Sequence, residues 1–138
     1  PHRKKVTLVW DPEEAARVLS SLVTQPKGQR YKYFDLPLAQ YATWMYDAVL
    51  NDAGEVVGFA MFTGFSSNEE RVLSLGMVKP EYAKEGTRLR VVWGEPNGGS
   101  RKPSVERHVQ TEVWVTVGPV PYAEPARRYR EQVAKARK

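Results

Sequence analysis

Leu50-Asn51-Asp52-Ala53-Gly54-Glu55-Val56-Val57-Gly58 is the stretch on which the fold turns, because two apolar segments meet there across residues that tolerate tight-turn geometry. Before it, from Tyr41 to Leu50, apolar side chains recur at every second position. Ala42, Trp44, Tyr46, Ala48 and Leu50 share one face and Thr43 and Asp47 the other, which predicts a strand with an aromatic inner face. After it, Val56 to Thr63 reads as the return strand of a hairpin. Gly58 and Gly64 lie within and at the end of that strand, where a missing side chain permits a bulge, a barrel corner or close backbone approach. Curvature is expected.

The same period continues outward. Val72 to Val78 carries Leu73, Leu75 and Met77 on one side and is stopped by Pro80, which cannot extend a ladder. Leu89, Val91 and Trp93 alternate again, and Gly94 to Ser104, with Pro96, Gly98, Gly99 and Pro103, reads as a loop. Val109, Thr111, Val113, Val115 and Val117 then mark a long strand with His108, Gln110, Glu112 and Trp114 on its opposite face. Toward the N-terminus, Val6, Leu8 and Trp10 form a short strand. A helix over about 12–24 follows: Asp11 can cap it, Pro12 suits its first turn, and Glu14 stands at the spacing that reaches back to the cap's N–H. Ala15, Val18, Leu19 and Leu22 make its apolar face. Several strands at short spacing with helices only near the ends predict a mainly β fold, an antiparallel Greek-key-like β-barrel with an N-terminal helix and a C-terminal helical tail. The expected division is a barrel over 1–122 and a basic helical tail over 123–138.

A chain of 138 residues suits one domain with a real core. It has no Cys, which removes disulfides, thiolate metal sites and cysteine nucleophiles and makes a cytoplasmic setting the plain expectation. No apolar run approaches the ~20 residues that a membrane-spanning helix needs. The net charge of +5 sits in the tails: Arg3, Lys4 and Lys5 at one end and Arg127, Arg128, Arg130, Lys135, Arg137 and Lys138 against Glu131 at the other leave residues 6–126 mildly acidic. That distribution argues against nucleic acid as the principal partner. Pro1 in place of an initiating methionine is the pattern of a piece trimmed from something longer.

Four segments carry a resemblance to a known family: Gly54-Glu55-Val56-Val57-Gly58, Thr63-Gly64-Phe65-Ser66-Ser67, Leu75-Gly76-Met77-Val78-Lys79-Pro80-Glu81-Tyr82-Ala83, and Glu85-Gly86-Thr87-Arg88-Leu89-Arg90-Val91. In order and spacing they resemble the C-terminal barrel of the glycine-cleavage T-protein (aminomethyltransferase) family. Leu8-Val9-Trp10-Asp11-Pro12, Asp35-Leu36-Pro37-Leu38-Ala39, Tyr41-Ala42-Thr43-Trp44 and the run from Lys102 to Glu112 are similar to its tetrahydrofolate-dependent vanillate/syringate-type aryl O-demethylases. The resemblance implies a methyl transfer from an aromatic methyl ether to tetrahydrofolate, with the folate held mainly by a preceding region that this chain lacks. The implied partner is that folate-binding catalytic domain or subunit, through which the ether would be reached, and the implied role of the barrel is to pack on it and close its site. T-proteins finish the barrel with a Pro-aromatic-x-basic pattern. Here Pro121-Tyr122 is followed by Ala123-Glu124, so the first basic residues that could meet the folate's anionic tail are Arg127 and Arg128.

No catalytic residue and no metal site is expected. His2 and His108 are the only histidines, far apart and without carboxylates at ligand spacing. Trp114, His108 and Tyr122 are the candidates for an interface with another domain, His108 as a surface residue on a strand's polar face. Trp44 and Tyr46 are read as core before stacking platform. Gly98-Gly99-Ser100-Arg101-Lys102 could cradle an anion but lacks a strand-to-helix context, so a solvated turn is expected. Ala126, Tyr129 and Val133 fall at helical spacing, as in a tail that docks one side onto protein. The rival to the enzyme-module reading is a stand-alone binding module for an anionic or aromatic ligand, RNA included.

Overall fold

The structure, a computed structural model, describes residues 2–26, 28–32, 46–96 and 107–137. Among them, in chain order, are β1 (Lys4–Trp10), α1 (Pro12–Thr24), β2 (Asp47–Leu50), β3 (Val56–Ser66), β4 (Arg71–Val78), β5 (Arg88–Trp93), β6 (Thr111–Gly118) and α2 (Glu124–Ala136). The strands close in the order β1-β4-β3-β2-β5-β6, and β6 pairs back onto β1. Every strand pair is antiparallel. β2, β3 and β4 form a meander, and the chain then turns through a short 3-10 segment, Pro80–Tyr82, to place β5 beside β2 instead of β4. That crossing gives the Greek-key-like character, and closure leaves no unpaired sheet edge.

The lining follows from the period of two. Val6, Leu8 and Trp10 on β1, Leu89, Val91 and Trp93 on β5, and Val113, Val115 and Val117 on β6 are all buried. Each such side chain contributes about 1.5–3 kcal/mol by leaving water. α1 closes one end with Ala15 and Val18, and Trp10 meets Trp93 edge to face beneath it, with ring centroids 5.2 Å apart. Tyr82 and Ala83 pack against the core from the 3-10 segment. Curvature is built as the glycines suggest: a Cβ on Gly58 would lie 2.8 Å from the Cα of Val78 and still nearer the Met77 carbonyl. The β3–β4 register slips between Met61 and Gly64, and Phe62 in that bulge has φ 55°.

Several expectations need correction. On β2 the inward residues are Asp47 and Val49, whereas Tyr46 is 58% exposed. Val49 pairs with Gly58 and Val91, which fixes it inside and turns Ala48 and Leu50 outward. Tyr41, Ala42, Thr43 and Trp44 lie outside the described residues, as does the Gly98–Lys102 loop. The capping box at α1 does not form. The Asp11 side chain makes no cap hydrogen bond but takes a two-pronged ion pair from Arg88, and Glu14 Oε2 accepts from the Trp114 amide at 3.0 Å. Both carboxylates thus stitch the helix start to the β5–β6 wall. The tail is helical as read, yet α2 buries no residue and Tyr129 is 68% exposed. Of its apolar strip, Ala126 and Tyr129 are exposed and Val133 is partly buried.

Candidate functional site

Charged groups gather at the α1 end of the barrel. Lys32, Asp47 and His108 are each less than 9% exposed, and Glu95 is partly buried beside them. Lys32 Nζ pairs with Glu95 Oε1 at 3.3 Å and stands 5.2 Å from the Trp93 ring centroid, while Trp93 Nε1 donates to the Lys32 carbonyl at 2.7 Å. The Glu95 amide donates to His108 Nε2 at 2.7 Å, and Gln110 Nε2 donates to the Gly94 carbonyl at 3.1 Å. Gly94, at φ 114°, lets the chain pass within contact of the imidazole: a Cβ there would meet His108 Cδ2 at 3.1 Å.

Burial pushes the Asp47 carboxyl up to about 7, Lys32 and a hydrogen bond from the Gly94 backbone pull it back, and Glu95 adds to the rise. Sequence reading missed this cluster because it put Asp47 on the outer face. The signal was present: an Asp inside an otherwise apolar alternation either faces solvent or takes charged company. Deeper in the same end, Trp10 Nε1 donates to Ser74 Oγ at 3.0 Å, and Ser74 shares a hydrogen bond with Thr63. No group of three His, Cys, Asp or Glu suited to a metal ion occurs among the described residues.

The residues singled out from sequence do not converge. His108 is 5% exposed and precedes β6, which starts at Thr111, so its placement on an exposed polar strand face is corrected: the Glu95 amide donates to its Nε2. Trp114 does face outward from β6 and is 37% exposed, with the guanidinium groups of Arg88 and Arg90 5.2 and 5.5 Å from its ring centroid. Arg88 is held by Asp11, and Arg90 by Glu112 at 3.0 Å and the Asn51 carbonyl at 2.9 Å. Tyr122 lies half-buried, where a Cβ on Gly118 would touch its ring at 3.2 Å and Val9 at 3.4 Å. Arg127 donates to the carbonyls of Pro121 and Tyr122, and exposed Arg128 pairs with Glu124 one turn back.

Over 127 residues, 92% of its length, the chain is 50% identical to syringate O-demethylase of Sphingobium sp. (strain NBRC 103272 / SYK-6). By sequence, the chain is a relative of that O-demethylase. Over 129 residues it is 33% identical to sesamin methylene transferase of Sinomonas sp. (strain No.22). No family model matches the chain. A match over 92% of the chain cannot be confined to one hairpin or to the tail. It spans 27% of the first relative and 26% of the second, so the chain corresponds to about a quarter of each. No helix among the described residues is long and apolar enough to cross a membrane.

Proposed function

We propose that this chain is the barrel module of a tetrahydrofolate-dependent aryl O-demethylase of the T-protein family, acting in the cytoplasm by packing on a folate-binding catalytic region and closing its site. The observation that carries the reading is 50% identity to syringate O-demethylase over nearly the whole chain, combined with a span of only 27% of that relative. Tetrahydrofolate bound in that catalytic region would supply the nitrogen that accepts the methyl group, and the aryl ether oxygen would leave as a phenol after protonation. Alignment and a proton donor dominate such a transfer, and a wall that excludes water protects it. The described residues supply a wall. Arg127 and Arg128 are proposed to meet the folate's anionic tail, Arg127 with Nη1 on the Pro121 and Tyr122 carbonyls and Arg128 beside Glu124. No step is assigned to folate on this chain. Tyr122 is proposed to border the contact with the catalytic region.

The test is a chimera in which this chain replaces the matching quarter of syringate O-demethylase. The chimera is expected to demethylate syringate with tetrahydrofolate as acceptor, and this chain by itself to be inert. A folded chimera with no methyl transfer would sink the reading.

A further inference from the structure

On β4 the larger apolar side chains point out of the barrel. Val72, Ser74, Gly76 and Val78 line the interior, while Leu73, Leu75 and Met77 stand on the outer wall. Register extends that wall on both sides. Phe59 faces Met77 and Met61 faces Leu75 across β3, and Val9 faces Leu73 across β1. The result is an apolar patch over β3 and β4 that Val9 extends onto β1, where Thr7 and Lys5 face Leu75 and Met77. Beside it, Phe62 is 39% exposed with φ 55°, a backbone conformation that a bulky L side chain adopts only when its surroundings impose it. The bulge therefore spends strain to present an aromatic ring to the outside.

The wall of β5 and β6 is built in the opposite sense. Arg88, Arg90, Glu112 and Trp114 cover it, and Asp11, Glu112 and the Trp114 ring meet the two guanidinium groups. One wall is charged, and the other carries apolar side chains that are each partly exposed.

We infer that the outer stripe of Val9, Phe59, Met61, Leu73, Leu75 and Met77 is the surface on which the remaining polypeptide of the longer relatives docks. The inference rests on the module reading above and specifies its contact. The occupant follows from the lengths, since about three quarters of each relative lies outside the matched segment and has to meet this one somewhere. An apolar centre with a polar rim is the make-up of such contacts, and the stripe has that rim: Arg3 stands 5.0 Å from the Phe59 ring centroid at one end, and Tyr122 lies near Val9 at the other. Tyr122 then sits at the border of the docked surface and Trp114 outside it.

Met61 and Met77 are built-in probes. Peroxide converts an accessible methionine to its sulfoxide, and the rate at each position can be read by mass spectrometry, first on the 138-residue chain and then on the syringate O-demethylase chimera. Both methionines are expected to oxidise at least about tenfold more slowly in the chimera, because docking covers the thioethers. Leu75→Glu should leave the isolated chain folded by circular dichroism yet restore fast oxidation at Met61 and Met77 in the chimera, whereas Trp114→Lys should leave them protected. A chimera that demethylates syringate while its two methionines oxidise as fast as in the free chain overturns this inference and leaves the module reading standing. Methionines already protected in the free chain, with the protection lost on dilution, overturn it in favour of a second copy of this chain. A chimera that folds but transfers no methyl group sinks the module reading, and the inference falls with it.

Discussion

β4 and the β5–β6 pair obey the same alternation and use it in opposite ways. On β5 and β6 the bulky residues, Leu89, Val91, Trp93, Val113 and Val115, fill the barrel, and charge faces water. On β4 the inner positions are small because the space is already taken: a Cβ on Gly76 would meet the Leu8 side chain at 2.8 Å, and Ser74 is engaged by Trp10. The difference teaches that period two separates two faces without saying which is inside. A small barrel is filled by pairing large residues on one strand with small ones opposite, so a strand can carry its greater hydrophobicity outward.

The hardest way to break the comparison is to put bulk where β3 and β4 touch. Gly58→Val places its Cβ against backbone atoms of Met77 and Val78, which cannot rotate away. Loss of more than about 3 kcal/mol or outright failure to fold is expected, beyond ordinary overpacking, for which side chains give way. Wild-type thermal unfolding for this variant would mean that β3 is misplaced.

How much of this was legible follows from the same logic. The hairpin, the strand segments, the curvature at Gly58 and the closed mainly-β barrel were readable because turn residues and alternation act locally. The inward face of β2 was not: Tyr46, Ala48 and Leu50 look more hydrophobic than Asp47, and only pairing of Val49 with Gly58 and Val91 turns Asp47 inside. The capping box failed for a related reason. Arg88 and the Trp114 amide, about 77 and 100 residues distant, compete for the two carboxylates, and spacing along the helix cannot show them. Among the candidate residues, outward-facing Trp114 was visible from its phase against the valines. The burial of His108 was not, because its partner is a backbone amide from another loop.

Asp47 sharpens the comparison by adding a third kind of inner face, one that holds a charge. Its folded value of about 7 lies above the ordinary 3.8, so between those values the native state holds a proton that the unfolded chain releases. Stability from this group is therefore present in acid, declines as pH rises from about 4 to 7, and is flat beyond. Asp47→Asn should remove that decline. Urea unfolding of both proteins at acid, intermediate and mildly alkaline pH should show the variant gaining on the wild type by up to about 1.4 kcal/mol per pH unit inside the window. A difference independent of pH would place Asp47 in solvent.

Deleting a few methyl groups compares the faces directly. Val91→Ala empties space at a fully buried inner position and should cost about 2 kcal/mol in chemical denaturation. Leu75→Ala removes more carbon, but from an outer-wall position that is only partly buried, and should cost the free chain less than Val91→Ala does. Equal losses would mean that the outer stripe is part of the fold's own core.

The smallest effect is expected from the tail. α2 buries no residue, and its tie to the barrel end runs through Arg127 and the carbonyls of Pro121 and Tyr122, hydrogen bonds near solvent whose net value is about 1 kcal/mol or less. Ending the chain after Tyr122 should therefore shift thermal unfolding by no more than a few degrees, and Arg127→Ala by less. In the chimera the same truncation removes the strip of Ala126, Tyr129 and Val133, and weaker association of the barrel with the catalytic region is the expected result. If the truncated chimera holds together as the complete one does, the outer wall of β1, β3 and β4 is sufficient for docking. The helical strip then has no part in the contact, and its apolar spacing is explained by neither the barrel nor the interface.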